Sequence, residues 1–481
     1  MKHDDCTQPR PGNPVGRRAL LKAATAAAAA ATLPASLRAV DAPTAEQSTG
    51  AIARENSKPG TSDWQLTYVR PEKSGAFRSR LIEGYCSHVS IRAGDTLQFH
   101  LSSVPASAVT IDIYRMGYYQ GLGGRHVTTI GPVDVKTHEA PAAGEYRLRE
   151  CNWPAAAEFK TPADWVSGVY LAKLSSNAHR YQSYVVFIVR DDRKADLLFQ
   201  CSTNTWQAYN KWPTNDSLYD TDAPNKPLNG TTRVSFDRPY GMYPQVVDQP
   251  LSMGSGEFLC WEFPLCFWLE SHGYDVTYIG NHDTHCDAAG LKRGRVFLSV
   301  GHDEYWTLEM FGNVQAAVDS GVSAAFLSGN TCCFVAPLAP SSDGRPDRVF
   351  HRAGRYGGLM EIEKAQMGPF DLDGHALPNE RSLIGARTVS PFNGSGDWAV
   401  APGMANHWLF EGTGIQEGDR IDGLVGWEFH GDPAPIPGLQ VVASAKTTNG
   451  SDKQATFMAT VYPGPKGNWV FNAATIFWAM G

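Results

Sequence analysis

Three ionisable residues, His302, Asp303 and Glu304, lie together directly after the apolar run 296–300, and two large aromatic residues follow them. A short continuous apolar run is typical of a strand buried on both faces, so these residues are expected at the carboxyl end of a strand. A carboxylate at such a position is suited to bind a metal ion or to act as a general base, and a neighbouring histidine can orient it. The segment 301–306 is therefore a candidate active site.

A structural role is the alternative for the same residues. The apolar spacing predicts a helix over residues 307–321, and Asp303 or Thr307 would suit its N-cap. Glu304 would then interact favourably with the helix dipole. The density of ionisable and aromatic side chains within six positions favours the functional interpretation.

A second candidate segment, residues 202–212, is rich in amide, hydroxyl and aromatic side chains. Such groups can orient a small polar ligand in an apolar pocket, although a hydrogen-bonded loop between two domains would have a similar composition. Both interpretations stay open for the segment as a whole. The residues expected to contact a substrate are Asn204, Thr205, Trp206 and, from the first segment, Trp306.

The elements around these segments alternate between strands and helices. Strands are predicted at 196–200, 275–279, 296–300 and 323–328, and helices at 257–273 and 307–321. This alternation predicts a doubly wound, mostly parallel sheet, in which ligands gather at the carboxyl ends of the strands. The polar segments 202–210, 301–306 and 329–333 all follow predicted strand ends.

The preceding region, residues 63–192, has short runs that alternate apolar and polar residues, separated by turn residues. This pattern predicts an immunoglobulin-like β-sandwich. The expected fold class is therefore an all-β domain over residues 63–192, followed by an α/β domain over residues 193–481.

The N-terminus carries Arg17 and Arg18 before an alanine-rich apolar run, which indicates a twin-arginine signal peptide over residues 1–39. Residues 40–62 are expected to be a linker. The apolar run is shorter than a stable membrane span, so we expect a periplasmic or secreted protein without a stable membrane anchor. The net charge of −7 and the absence of basic clusters argue against nucleic-acid binding.

Two further groups in the sequence have chemical potential. Cys332 and Cys333 follow a predicted strand and Gly329, as a nucleophilic cysteine of an amidotransferase would, with His302 as its base. Against this, Phe334 and not a glycine comes next. In the loop 282–286, two histidines, an aspartate and Cys286 have a spacing that could bind zinc, although a short loop of polar residues is more often a solvated turn.

Four motifs occur in an order that resembles the C-terminal region of the large subunit of N,N-dimethylformamidase and its relatives. The similarity extends over nearly all of residues 70–481, and the motifs are residues 203–210, 235–240, 301–306 and 328–330. The resemblance implies an α/β domain similar to class I glutamine amidotransferases, which are flavodoxin-like. It also implies a mononuclear ferric iron bound by two tyrosines and a glutamate.

Carried onto matching positions, this resemblance makes Glu304 the carboxylate ligand and Tyr209 one phenolate ligand. Tyr240 is the choice for the second phenolate, with Tyr219 or Tyr243 as alternatives. Ferric iron is acidic enough to displace the phenolic protons, and it would polarise an amide carbonyl.

The remaining roles follow from this chemistry. His302 would steady Glu304 or a water molecule, Asn330 would donate a hydrogen bond to the amide oxygen, and Glu428 would carry a proton to the leaving amine. The expected activity is hydrolysis of a small amide or a related non-peptide C–N bond by a metal-dependent amidohydrolase.

Two other functions remain as alternatives. One is a non-catalytic carbohydrate-binding or adhesion protein on the same fold, and the other is a metal-free cysteine amidase. A homo-oligomer is compatible with the sequence. The small partner subunit found with dimethylformamidase is not evident in it.

Overall fold

The computed structural model describes residues 50–69, 77–220, 230–241, 258–360, 364, 370–372, 374–389 and 394–481. The predicted signal peptide and Tyr243 lie outside these residues. Strand residues outnumber helical residues, and they form several sheets. The predicted combination of all-β and α/β structure is confirmed at this level. The immunoglobulin-like and amidotransferase-like assignments stay predictions.

The first part of the chain forms two sheets that pack face to face. One sheet has the order β2-β8-β7-β4-β5 and the other the order β1-β3-β6. Leu97 and Phe99 of one sheet pack with Ile111, Ile113 and Phe187 of the other to form a shared core. The strands are β1 Glu83–Cys86, β2 Ser90–Arg92, β3 Thr96–Ser102, β4 Ser107–Met116, β5 Gly124–Val135, β6 Ala157–Lys160, β7 Gly168–Ser176 and β8 Gln182–Arg190.

Part of the predicted linker is ordered and buried. Residues Ala51–Asn56 form a short helix, α1, in which Ile52, Glu55 and Asn56 are buried. The side-chain oxygen of Asn56 accepts hydrogen bonds from the backbone N–H groups of Tyr118 and Tyr119, at 2.9 Å each. These contacts are long-range in sequence, so the polar composition of the segment gave no sign of them.

A nine-stranded sheet dominates the rest of the chain, in the order β11-β9-β12-β14-β25-β24-β23-β20-β21. The pairs from β11 to β25 are parallel, and those from β25 to β21 are antiparallel. Its strands are β9 Ala195–Cys201, β11 Val276–Gly280, β12 Gly294–Gly301, β14 Ser323–Ser328, β20 Gly394–Ala399, β21 Arg420–Trp427, β23 Gln440–Thr448, β24 Gln454–Pro463 and β25 Trp469–Asn472.

Short strands and helices complete this part. The strands are β10 Arg233–Ser235, β13 Tyr305–Trp306, β15 Phe334–Val335, β16 Leu338–Ala339, β17 Val349–His351, β18 Gly354–Arg355, β19 Arg387–Thr388 and β22 His430–Gly431. The helices are α2 Thr203–Tyr209, α3 Phe263–Ser271, α4 Asn281–Cys286, α5 Leu308–Asp319 and α6 Arg381–Ile384. Among the described residues, no helix is long and apolar enough to cross a membrane.

The parallel strands are covered on both faces, which explains their continuous apolar runs. Phe297 of β12 packs in a cluster with residues of α5, whereas its neighbour Leu298 packs in a cluster with residues of α3. Successive strand residues point to opposite faces, so α3 and α5 lie on opposite sides of the sheet.

Both predicted long helices are present, with shorter bounds. A π-helical turn, Phe258–Glu262, precedes α3. Pro264 lies in the first turn of α3, where proline is tolerated. Thr307 is the N-cap of α5, because its side chain accepts a hydrogen bond from the N–H of Met310 at 3.0 Å. The capping role belongs to Thr307, so it does not explain Glu304.

A buried ion pair joins the sandwich to the α/β part. Arg115 of β4 donates to both carboxylate oxygens of Glu270 of α3, at 2.9 and 3.1 Å, and both side chains are fully buried. The carboxylate also accepts from Asn56 at 2.7 Å and from the Tyr278 hydroxyl at 2.8 Å. The Glu270 carboxylate therefore accepts four hydrogen bonds, from residues of three elements: α1, β4 and β11.

We expect Glu270→Gln to lower the free energy of unfolding by about 3–5 kcal/mol, because it leaves the Arg115 charge buried without its partner. Urea denaturation at neutral pH measures this change. Asp422→Asn is the matched control, since its ion pair with Arg420 is exposed and its loss should change stability by less than about 0.5 kcal/mol. Equal effects of the two substitutions would contradict the proposed importance of the buried pair.

Candidate active site

The carboxyl ends of three adjacent parallel strands bring the site together. Glu304 follows β12, Tyr209 ends the helix that follows β9, and Asn330 follows β14. Gly301 turns the chain out of β12 with a φ of +77°, and a Cβ atom there would lie 2.7 Å from Trp261. A glycine is therefore needed both for the backbone conformation and for the space.

The Glu304 carboxylate is buried and accepts several hydrogen bonds. The hydroxyl of Tyr209 donates to it at 2.9 Å, the hydroxyl of Tyr219 at 2.9 and 3.0 Å, and the Asn330 amide at 3.0 Å. The backbone N–H of Glu304 donates to the Thr205 hydroxyl at 3.1 Å. The position of Glu304 is thus set by groups that follow the two neighbouring strands, β9 and β14, and by Tyr219 from a loop.

Tyr219, which the sequence offered only as an alternative to Tyr240, is hydrogen-bonded to the Glu304 carboxylate. Its ring is 4.5 Å from that of Tyr209, measured between centroids. The buried Arg238 holds the connecting loop, because its guanidinium donates at 2.9–3.1 Å to the carbonyls of Gln207, Asn210, Trp212 and Asp216. The loop therefore returns to the end of α2 and presents Tyr219 beside Tyr209.

The ring of Tyr240 lies elsewhere in the same region. It belongs to the hydrophobic cluster on the α3 side of the sheet and contacts Trp206 edge to face, with 6.5 Å between centroids. Within the part of the chain that the structure describes, the tyrosine hydroxyls that donate to Glu304 are those of Tyr209 and Tyr219.

His302 and Glu428 form a buried pair next to Glu304. The Nε2 atom of His302 lies 2.6 Å from Glu428 Oε2 and 3.3 Å from Glu304 Oε2. Burial alone would lower the pKa of His302, but the negative charges of Glu428 and Glu304 raise it to about 10. Burial and the charge of Glu304 also raise the pKa of Glu428. His302 is therefore an imidazolium at neutral pH.

The two tyrosines are kept in the phenol form. Burial raises the pKa of both Tyr209 and Tyr219 well above the usual value, and the charge of Glu304 adds to the effect. Only a cation that binds the phenolic oxygens would reverse this preference.

Among the other predicted site residues, Asn330 contacts the Glu304 carboxylate and three more are buried in α2. The Asn330 amide contacts Glu304, and its Oδ1 accepts from the Thr388 hydroxyl at 2.6 Å. It therefore positions the carboxylate. Asn204, Thr205 and Trp206 are buried in α2, where the indole of Trp206 donates to Glu262 at 2.9 Å.

Trp306 lies on the other face of the sheet. It packs against Phe297 and Phe326, with ring centroids 6.5 and 6.4 Å away. Its side chain is buried in the cluster formed with α5. Its surroundings are those of a core residue.

The cysteines expected of a cysteine amidase are buried. Cys332 and Cys333 are 0% and 2% exposed, and burial raises the pKa of the Cys332 thiol well above its usual value. A reactive cysteine needs a thiolate that a substrate can reach, so this environment does not favour nucleophilic chemistry.

Sequence reasoning missed several neighbours of the site. The Tyr305 hydroxyl donates to that of Tyr219 at 2.7 Å, and the buried guanidinium of Arg352 lies 4.8 Å from the Tyr219 ring. The rings of Trp261 and Trp427 stand at 6.3 and 5.7 Å from His302. Tyr305 was visible within the first segment, whereas no local pattern marked Arg352 or Trp261.

Comparison with known proteins identifies the family. The family described as N,N-dimethylformamidase beta subunit-like, C-terminal, matches residues 110–481, well over half of the chain. The chain belongs to this family. The resemblance predicted from the four motifs is thus confirmed, and the family's name indicates an amidohydrolase. A search among curated proteins found no similar sequence.

The matched region of this dimethylformamidase-like chain contains every side chain of the site. It begins within β4, so it also contains both partners of the buried Arg115–Glu270 pair. The family relationship therefore includes the junction between the sandwich and the α/β part.

We expect His430, next to the site, to make the protein sensitive to acid. Its Nε2 accepts from the N–H of Thr331 at 3.1 Å and its Nδ1 lies 3.0 Å from Asn472 Oδ1, and burial lowers its pKa to about 4. The unfolded chain binds the proton below about pH 6.5. Stability is therefore lost as the pH falls from about 6.5 to about 4, by up to about 3 kcal/mol.

Urea denaturation between pH 7 and pH 4.5 tests this expectation. The free energy of unfolding should fall more steeply for the wild type than for His430→Gln, which keeps a donor and an acceptor but does not titrate. Parallel pH profiles for the two proteins would show that His430 is not responsible.

Proposed function

We propose that this protein is an exported hydrolase that cleaves a small amide, or a related C–N bond, at a mononuclear iron site. The proposed ligands are the phenolates of Tyr209 and Tyr219 and the carboxylate of Glu304. The observation that carries the proposal is the convergence of both phenols on this one buried carboxylate. Membership of the dimethylformamidase-like family supports the type of reaction.

The spacing of the oxygens suits a small hard cation. The phenolic oxygens lie 2.9–3.0 Å from the nearest oxygens of Glu304. Oxygen ligands about 2.0–2.1 Å from an octahedral ion are about 2.9 Å apart. Little movement of the donors would be needed once the phenolic protons leave.

On binding a cation the two phenols would ionise, and the site would then carry the negative charge that matches it. Glu304, Glu428 and two ionisable phenols are gathered in one buried region, with His302 and Arg352 as neighbouring positive groups. His302 Nε2 and Glu428 Oε2 are close, but neither has a hydrogen-bond partner of acceptable geometry within the described residues. Both atoms keep capacity for a bound ligand.

When bound, ferric iron supplies Lewis acidity toward the amide oxygen. The chain's own residues handle the protons. Glu428 Oε2 accepts a proton from the attacking water, and His302 Nε2, 2.6 Å away, holds the proton that passes to the leaving amine. The rings of Trp261 and Trp427 pack edge to face against His302, with centroids 6.3 and 5.7 Å away.

The remaining parts of the proposal concern location and partners. The two arginines at positions 17 and 18 support export through the twin-arginine route to the periplasm or beyond. The family's description names a beta subunit. The five side chains of the proposed site come from this chain, and they are Tyr209, Tyr219, Glu304, His302 and Glu428. We therefore propose that any partner subunit does not supply catalytic side chains.

We expect Tyr219→Phe to lose stoichiometric iron, the visible phenolate-to-iron absorption band, and at least about 100-fold in amide hydrolysis. Loss of a residue that supports a metal ligand lowers metal affinity or activity about 10–100-fold, and loss of the ligand itself should lower them at least as much. Metal analysis, absorption spectroscopy and an assay with a panel of small amides measure these changes.

Tyr240→Phe is the matched control, since it removes a hydroxyl from the same region, and it should keep both the iron and the absorption band. Loss of iron in Tyr240→Phe but not in Tyr219→Phe would assign the ligand to Tyr240 instead. A wild-type protein without stoichiometric iron and without the band, purified after its own export, would contradict the proposed function.

We expect Glu428→Gln to separate proton transfer from metal binding. The variant should keep the iron and its absorption band while kcat falls about 100-fold or more, because general acid–base catalysis contributes about 10²–10⁴-fold. Steady-state kinetics and metal analysis on one preparation provide the test. Loss of iron in this variant would make Glu428 a ligand and refute its role as a proton carrier.

A further inference from the structure

A second group of potential metal ligands lies outside the proposed iron site. His282 and Cys286 are four residues apart on α4 and therefore share one face of the helix. Asp347 approaches this face from the loop between β16 and β17. These residues bring one nitrogen, one sulfur and one oxygen donor together.

The distances among the three donor atoms match a zinc ion. His282 Nε2 lies 3.1 Å from Asp347 Oδ2, Cys286 Sγ lies 3.6 Å from His282 Nε2, and Cys286 Sγ lies 3.9 Å from Asp347 Oδ2. With bonds of about 2.3 Å to sulfur and about 2.0–2.2 Å to nitrogen and oxygen, tetrahedral ligands stand about 3.4–3.6 Å apart. The observed triangle has nearly this size.

The two segments that carry the cluster, α4 and the loop between β16 and β17, are each held by polar contacts. On the helix, Arg190 forms an ion pair with Asp283 at 2.8 Å, and the Asn313 amide donates to the carbonyls of Thr284 and His285 at 2.9 and 3.0 Å. On the loop, Arg345 and Arg348 flank Asp347. Both guanidinium groups bind the buried carboxylate of Asp237, at 2.8 and 2.7 Å.

The surroundings of the cluster favour a cation. Asp283 and Asp287 lie near the Cys286 thiol in addition to Asp347, and the neighbouring Arg190 is paired with Asp283. Cys286 is exposed and His282 is partly exposed, so an ion from solution can reach the donors.

We propose that His282, Cys286 and Asp347 form a second metal site that binds Zn²⁺, or a similar borderline-soft divalent ion, with the fourth position open to solvent. A mixed nitrogen, sulfur and oxygen set selects such an ion over Mg²⁺ or Ca²⁺, which prefer oxygen ligands. Bound metal would link α4 to the loop before β17. The site is independent of Glu304 and does not require the proposed hydrolase activity.

Metal binding by the full chain tests this site. Competition with a chromophoric chelator should give a Zn²⁺ affinity at least about 100-fold weaker in Cys286→Ser than in the wild type. Co²⁺ used as a probe should produce a sulfur-to-cobalt absorption band in the wild type only. Zn²⁺ should also raise the Tm of the wild type but not of Cys286→Ser.

Two control variants separate this site from other sources of binding. Cys260→Ser removes a different thiol that is not fully buried and should keep both the affinity and the cobalt band. Glu304→Gln disrupts the proposed iron site and should also keep them, which distinguishes failure of this inference from failure of the proposed function. Equal Zn²⁺ affinity in Cys286→Ser and the wild type, or a wild type without the cobalt–sulfur band, would overturn the proposal.

Discussion

The buried carboxylate of Glu304 is the constraint on which the arrangement of the site depends. A carboxylate removed from water is costly unless hydrogen bonds compensate it. Here the donors are Tyr209, Tyr219 and Asn330, which come from widely separated parts of the chain. They can meet only because β9, β12 and β14 are parallel neighbours whose carboxyl ends lie at one edge of the sheet. The parallel register is therefore a requirement of the site as well as of the fold.

The same carboxylate explains why the site is suited to change its protonation on binding a cation. In the structure, phenolic protons and the His302 imidazolium balance the negative charge of Glu304 and Glu428. A cation would take over this balancing role and allow the phenols to ionise. The Glu304 carboxylate thus has its hydrogen bonds without metal, and the proposed ligand oxygens are already close to one another.

The parts of this arrangement that sequence could predict are those encoded locally. The strands β9, β11, β12 and β14 were predicted because strands covered on both faces appear as continuous apolar runs. Which of Tyr219 and Tyr240 lies beside Glu304 was not encoded in this way. It depends on how Arg238 folds the loop after α2 back on itself, through hydrogen bonds to backbone carbonyls that any sequence would provide. Neither periodicity nor spacing carries that information.

The sandwich also contributes to the site, although it supplies none of the proposed ligands. The ring of Trp261 packs near His302, and Glu262 accepts a hydrogen bond from Trp206. Both residues lie in the turn that leads directly into α3. The same helix carries Glu270, which Arg115 of the sandwich holds through a fully buried ion pair. Burial makes this pair costly to separate, so α3 is fixed relative to both the sandwich and the sheet. The sandwich therefore helps to fix the turn that carries Trp261 beside His302, and a displacement of α3 would shift that contact.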